Sequence, residues 1–270
     1  MLPGHWGGAK VVLFDAAKFT SPGGQPANED SVYLAQGDGR LVAIVADGLG
    51  AHGGGGIASA TAVEALHGAL RKAAPAAGHI DGRALEACFA AANAAVLEKQ
   101  KPGLAMKSTA AMLVLEEGYA AFAHIGDSRG YAFRGGKIAR QTVDHSVSQM
   151  AVFRGDITPA QIRFHKSRNR LLFALGMEGC APGEVTLLDP PLVGDAYLLC
   201  SDGFWEYVYE DEMEMDLARA RARDADGWLS LMLARIPPRA QARESPRVQA
   251  GNDNLSAITV TCRVKAAQPL

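Results

Sequence analysis

The stretch LVAIVADGLG, residues 41 to 50, constrains the fold more than any other. Its first six residues form an unbroken apolar run, which reads as a strand, and the strand stops at an acid, Asp47, followed by glycine. The same arrangement recurs in distant parts of the chain. FAHIGDS places Asp127 after an apolar run, YLLCSDG does so for Asp202, Asp253 directly precedes NLSAITV, and Glu29-Asp30 precede SVYLA. Strand ends gather at the rim of a sheet, so these carboxylates can converge there although they are far apart in sequence.

Gly48, Gly50 and Gly53 also form a G-x-G-x-x-G, the pattern of a dinucleotide-binding turn. That fold needs a second strand about 20 residues later, ending in an acid for the ribose. Here the corresponding stretch, EALHGALRKAAPAAGHI, reads as helix and then loop. An anionic Asp47 at the phosphate position would also repel a pyrophosphate. The dinucleotide reading is therefore set aside.

Residues 10 to 15, 31 to 36 and 41 to 46 read as strands, with GDGR as a hairpin turn between the last two. Two helices follow. Val63, Leu66 and Leu70 share a face in the first; Leu85, Cys88, Phe89, Ala92 and Val96 do so in the second, with Asp81 as its N-cap. Strands return in STAAMLVLEEG, YAAFAHIGDSR and GYAFRGGKIARQ. Residues 144 to 170 are basic and locally helical, with Thr158-Pro159 as N-cap and first turn. AYLLCSDG and LSAITVTCRV read as strands, separated by a helical stretch over residues 206 to 235 that ends at Pro237-Pro238. Strict alternation of strand and helix is missing, which argues against a parallel doubly wound sheet. The expectation is an α+β fold, two antiparallel sheets packed as a central sandwich with helices on both outer faces. The 270 residues are read as a single domain, with a disordered tail after residue 263.

The formal net charge of −2 gives no electrostatic reason to expect nucleic acid or an anionic membrane. Fully apolar runs are far shorter than the roughly 20 residues a spanning helix needs. The opening MLPGHWGGAK lacks a basic segment followed by an apolar one, so no signal peptide is expected. Cys88, Cys180, Cys200 and Cys262 are scattered, with no C-x-x-C pair. They read as buried free thiols in a reducing cytoplasm.

Any one Asp beside a glycine is ordinary turn chemistry. Several converging on one rim repel one another unless protonated or bound to cations, and an all-oxygen set suits magnesium or manganese better than zinc. Composition and spacing alone do not identify a reaction.

The motifs NED, VADGLG…HGGG, STAAMLVL, AHIGDSRGY, DHS, LLCSDGFWEYV and GNDNLSAITV occur in an order that resembles the metal-dependent serine/threonine protein phosphatases, the PPM or type 2C family. The likeness runs from about residue 10 to residue 262, without eukaryotic-style insertions, as in a compact bacterial member. It implies an α-β-β-α sandwich holding two or three Mn²⁺ or Mg²⁺ ions at one end. It implies that Asp47 bridges two metals, that Asp202 and Asp253 complete one of them, and that Glu29 and the Gly48 carbonyl serve the other. Asp30 supports from behind, and Asp127 with Asp202 matches a weaker third site. A metal-bridging hydroxide would then attack phosphoserine or phosphothreonine directly, with Asp47, Asp202 and Asp253 as the catalytic set.

Residues 144 to 170 match the family's flap, whose Arg154, Arg163, His165, Lys166, Arg168 and Arg170 can meet acidic or phosphorylated substrates or form a solvated basic surface. Two positions depart from the pattern. Gln25 stands where the family usually has a phosphate-binding arginine, and Leu49 where many eukaryotic members have a histidine. Arg129 or Arg168 is a candidate substitute for the missing arginine. His52 and His145 read as structural rather than as proton donors. The implied partners are a phosphorylated protein and a cognate Ser/Thr kinase in cytoplasmic signalling, and the protein is expected to be a monomer. The alternative is a weak or inactive relative that serves as a binding or regulatory module.

Overall fold

The computed structural model describes residues 12–37, 39–50, 53–73, 78–101, 105–180, 183–220, 224–241 and 253–264. His52 and the segment after residue 264 lie outside the described residues.

Two antiparallel sheets form the centre. One has the order β1-β11-β10-β7-β8, built from Val12–Ser21, Leu255–Val264, Ala196–Cys200, Arg129–Arg134 and Lys137–Gln141. The other has the order β2-β3-β5-β6-β9, from Asp30–Gly37, Arg40–Gly50, Ala110–Glu116, Tyr119–Ile125 and Glu184–Leu188. A short β4, Met106–Ser108, pairs with the end of β3. The β2–β3 hairpin and the hairpin of β7 and β8 form where glycine turns lead one to expect them, with Gly39 and Gly136 at positive φ.

Strand periodicity explains why the core strands read as unbroken apolar runs. Along β3, Leu41, Ala43 and Val45 enter the layer between the sheets, while Val42, Ile44 and Ala46 face helices. On β10, Tyr197 and Leu199 point between the sheets and Leu198 and Cys200 point outward. Both faces of each strand are covered. Helices α1 (Gly54–Ala73) and α2 (Gly82–Lys99) pack on the β3 sheet through Leu66, Leu70, Leu85, Phe89 and Val96. Asp81 caps α2, its carboxylate accepting from the Ala84 N–H at 2.7 Å. On the other sheet lie α5 (Glu210–Arg219) and α6 (Ala225–Leu233), through Met213, Leu217, Trp228 and Met232. The result is the four-layer helix–sheet–sheet–helix arrangement.

The helical stretch expected over 206 to 235 consists of α5 and α6, preceded by a short α4 (Asp202–Trp205) and followed by α7 (Ile236–Gln241). Pro237 and Pro238 lie in the first turn of α7 rather than ending a helix, because a first-turn proline forfeits no intrahelical bond. Residues 144 to 170 hold α3 (Val147–Phe153) and a 3-10 turn, Pro159–Phe164, which begins at Thr158 as expected. Cys88, Cys200 and Cys262 are buried and Cys180 is half-buried, all as free thiols; burial pushes the Cys262 thiol up to about 12. Among the described residues no helix is long and apolar enough to cross a membrane.

Candidate active site

The β2–β3 register sets Asp30 directly opposite Asp47, so the Glu29-Asp30 pair at the start of one strand meets Asp47-Gly48 near the end of the next. The Asp47 backbone is held on its other side. Its N–H donates to Thr109 Oγ1 at 3.0 Å, and its carbonyl accepts from the Thr109 N–H at 2.9 Å and the Ser108 hydroxyl at 3.0 Å. Thr109 Oγ1 also bonds Ser128 Oγ at 2.6 Å, which couples the Asp47 strand to the turn carrying Asp127.

The glycines after Asp47 permit a main-chain contact. A Cβ on Gly48 would overlap the Gly55 carbonyl oxygen, and one on Gly55 would come within 2.8 Å of Glu29 Oε2. The end of β3 and the first turn of α1 therefore touch backbone to backbone beside the Glu29 carboxylate, which accepts from the Gly56 N–H at 3.4 Å. Gly203 plays the same part elsewhere, since a Cβ there would overlap the Asn254 carbonyl oxygen. Asp202 and Asp253 sit on these two abutting segments.

Asn254 staples a third segment in place. Its Oδ1 accepts from the Glu29 N–H at 2.6 Å, and its Nδ2 donates to the carbonyls of Pro22 and Ala27 at 2.9 and 3.0 Å. The loop carrying Gln25 is thereby tied to the start of β11. Ser201 joins the two sheets: its hydroxyl donates to Asp30 Oδ2 at 2.8 Å and accepts from the Ser256 N–H at 3.0 Å.

These contacts bring Glu29, Asp47, Asp127, Asp202 and Asp253 to one cleft of about 440 Å³, with Gly48 and Gln25 on its wall. Asp30 is 7% exposed and lies behind the wall. Leu49 lines the cleft, and so do Asn169 and Leu171 of the flap region. No lysine or arginine is among the described lining residues.

Arg129 and Arg168 are not in the cleft. Arg129 is 3% exposed, clamped by Asp144 through bonds of 2.8 and 2.7 Å, and its guanidinium lies 3.5 Å from the Trp205 ring centroid. Burial works against its charge, but Asp144 more than offsets this and holds the proton more firmly than usual. Arg168 turns to Glu206, with Nε 2.8 Å from Oε1. Arg163, also read as a possible substrate contact, is buried and donates to the Trp205 carbonyl and to Glu210, each at 2.9 Å. A buried guanidinium needs partners, and these flap arginines find theirs in the body of the protein. Desolvation would raise the Glu210 carboxyl, but the bond and charge of Arg163 prevail and lower it.

Sequence reasoning missed Asn169 and Asn254. Asn254 belongs to GNDN, but nothing local marks its side chain as a staple; Asn169 has no sequence signal beyond its place in the flap. His145, read as structural, accepts from the Gly126 N–H at 3.2 Å. Together with His124 and Glu184 it forms a cluster whose ligand atoms lie within 4.8 Å of one another. The two rings stack nearly parallel, at 14°, so their in-plane lone pairs do not converge on one ion.

The family model for protein phosphatase 2C matches residues 23–233. The serine/threonine protein phosphatase PstP of Mycobacterium tuberculosis is 34% identical over 195 residues, which are 68% of this chain and 35% of that relative's length. The serine/threonine phosphatase Stp of Listeria monocytogenes is 32% identical over 192 residues, 69% of this chain and 75% of that protein. A crystal structure of the PstP catalytic domain with two manganese ions superposes with a TM-score of 0.72 at 27% identity, covering 94% of this chain and all of that one. With this fold, this cleft and these likenesses, the chain belongs to the protein phosphatase 2C family.

Proposed function

We propose that this protein is a metal-dependent phosphatase that hydrolyses phosphoserine and phosphothreonine in proteins and so reverses a Ser/Thr kinase. One observation carries the reading: five carboxylates from five separate segments share a cleft whose described lining offers no cationic side chain. Such a cluster repels itself, and its all-oxygen donors, joined by the Gly48 carbonyl, fit hard divalent cations.

In this reading Asp47 would bridge two ions, with Asp202 and Asp253 completing one and Glu29 and the Gly48 carbonyl the other. Asp127 with Asp202 would form a third, weaker site. Manganese or magnesium is favoured by the donor set and by the manganese bound to the PstP catalytic domain. Bound there, the ions would supply an acidified water as nucleophile and neutralise charge on the phosphoryl oxygens.

The chain's own residues do the rest. Asp30 accepts from Ser201 and braces the Glu29 segment. Gln25 can donate an amide N–H to a phosphoryl oxygen, without the charge or fork of a guanidinium. Leu49 carries no proton to give a leaving group. The working partners are a phosphoprotein and its kinase, in a cytoplasm that keeps the four thiols reduced. A binding module that had lost catalysis would gain nothing from five clustered acids, so that alternative is not favoured.

The test is phosphate release from a phosphothreonine peptide by purified protein. Release that requires manganese and stops with EDTA supports the reading. No release at any manganese concentration overturns it.

A further inference from the structure

A second depression, of about 490 Å³, opens beside the cleft and shares Ala27, Glu29 and Gly53 with it. Its far side is the exposed face of α1, where Ile57, Ala60, Thr61 and Glu64 meet Lys99 at the end of α2. None of its lining residues belongs to the flap. Ile57 is 50% exposed, and the Thr61 hydroxyl is turned back onto the Ile57 carbonyl at 2.7 Å, which leaves an apolar floor.

A lone exposed isoleucine is ordinary on a protein surface. This one lies in a groove continuous with the cleft, and the groove is held at a fixed offset from it. Gly48 and Gly50 abut the first turn of α1 backbone to backbone, so the floor cannot move independently of Asp47. From Gly54 to Thr61 the helix advances about 10 Å, a distance that an extended chain covers in about three residues. The cleft also lacks a described lysine or arginine to grip a phosphate, so contacts beside it would add to what the metal ions and Gln25 supply.

We infer that this groove holds the substrate polypeptide next to its phosphorylated residue, seating an apolar side chain, two or three positions away, on Ile57 and Ala60. The inference rests on the phosphatase reading and names what that site recognises: a phosphoprotein segment with an apolar flanking residue.

The experiment uses phosphothreonine peptides carrying leucine or glycine at each of three positions on either side, with an aryl phosphate as a substrate that cannot reach the groove. Wild type should show a KM about tenfold lower for leucine at one or two of those positions, the scale of one well-placed apolar side chain. Ile57→Asp, and independently Ala60→Glu, should abolish the preference while leaving aryl-phosphate kcat and KM unchanged. Both sites are exposed, and a melting curve confirms that each variant is folded. A preference that survives both substitutions, the absence of any preference, or an equal rise in aryl-phosphate KM overturns the inference. Failure of wild type to hydrolyse even the aryl phosphate with manganese strikes the phosphatase reading itself, and the inference with it.

Discussion

The indole N–H of Trp205 donates to the backbone carbonyl of Asp127 at 2.9 Å. The ring that makes this bond is itself held by the Arg129 guanidinium, which Asp144 locks in turn. A residue of α4, three positions past Asp202, therefore sets the turn that carries another of the clustered acids. Trp205→Phe keeps an aromatic face for Arg129 and removes the donor together with part of a buried ring. It should cost about 1–3 kcal/mol of unfolding free energy in denaturant. It should also weaken manganese binding in calorimetric titration. Titration curves identical to wild type would show that the bond does not position Asp127.

Asp47 lies at the meeting point of β2, β3 and the Ser108-Thr109 segment. Asp47→Asn preserves the shape and removes the charge. Turnover should fall by more than about a hundredfold, as expected when a shared ligand is lost. Manganese that binds only the folded state should raise the melting temperature of wild type, increasingly with concentration, and raise that of the variant less. Equal melting curves in EDTA and in millimolar manganese would argue that no site is assembled.

The Asn254 staple holds the loop that carries Gln25, and the candidate substitutes Arg129 and Arg168 turn to Asp144 and Glu206. Gln25→Arg should therefore lower KM for an aryl phosphate. Charge-assisted bonds are roughly twice as strong as neutral ones, so the two bonds of a guanidinium fork add about 1–3 kcal/mol, about tenfold to a hundredfold in affinity. The turnover number should change less, since the contact holds phosphate in ground and transition states alike. An unchanged KM from steady-state kinetics at saturating manganese would mean that the phosphate does not approach residue 25.

His124 is 1% exposed beneath the Asp127 turn, and burial lowers its pKa, with the neighbouring His145 adding to the effect. The unfolded chain takes up a proton below about pH 6.5 that the folded ring refuses. Stability of the metal-free protein should therefore drop as pH falls below about 6.5, by at most about 1.4 kcal/mol per pH unit from this residue. His124→Gln keeps a donor for the Val143 carbonyl and should flatten that slope. Parallel stability profiles for the two proteins, measured by denaturant midpoints between pH 5 and 7.5, would refute the assignment.

The acids were the most legible part of the chain, because an apolar run that ends in Asp-Gly gives both the strand and its rim. The arginines were illegible for a related reason. Arg129 lies two residues past Asp127, but sequence adjacency does not tell which way a side chain turns, and this one turns into the Trp205 layer. Strand β9, the stretch EVTLL, escaped notice because it is a partly exposed edge strand without clean alternation. The start of α7 was hidden by proline, which reads alike at the start of one helix and after the end of another.

The main-chain contact between Gly48 and Gly55 makes the start of α1 a ruler. Its zero mark is the carboxylate rim, and its graduations are the side chains along the helix. Because the scale is drawn in backbone, side-chain substitutions on α1 can rewrite what is read at each mark but cannot slide the marks. Divergence among related chains with this contact should then change which residue flanks the phosphate, while keeping how far away it is read.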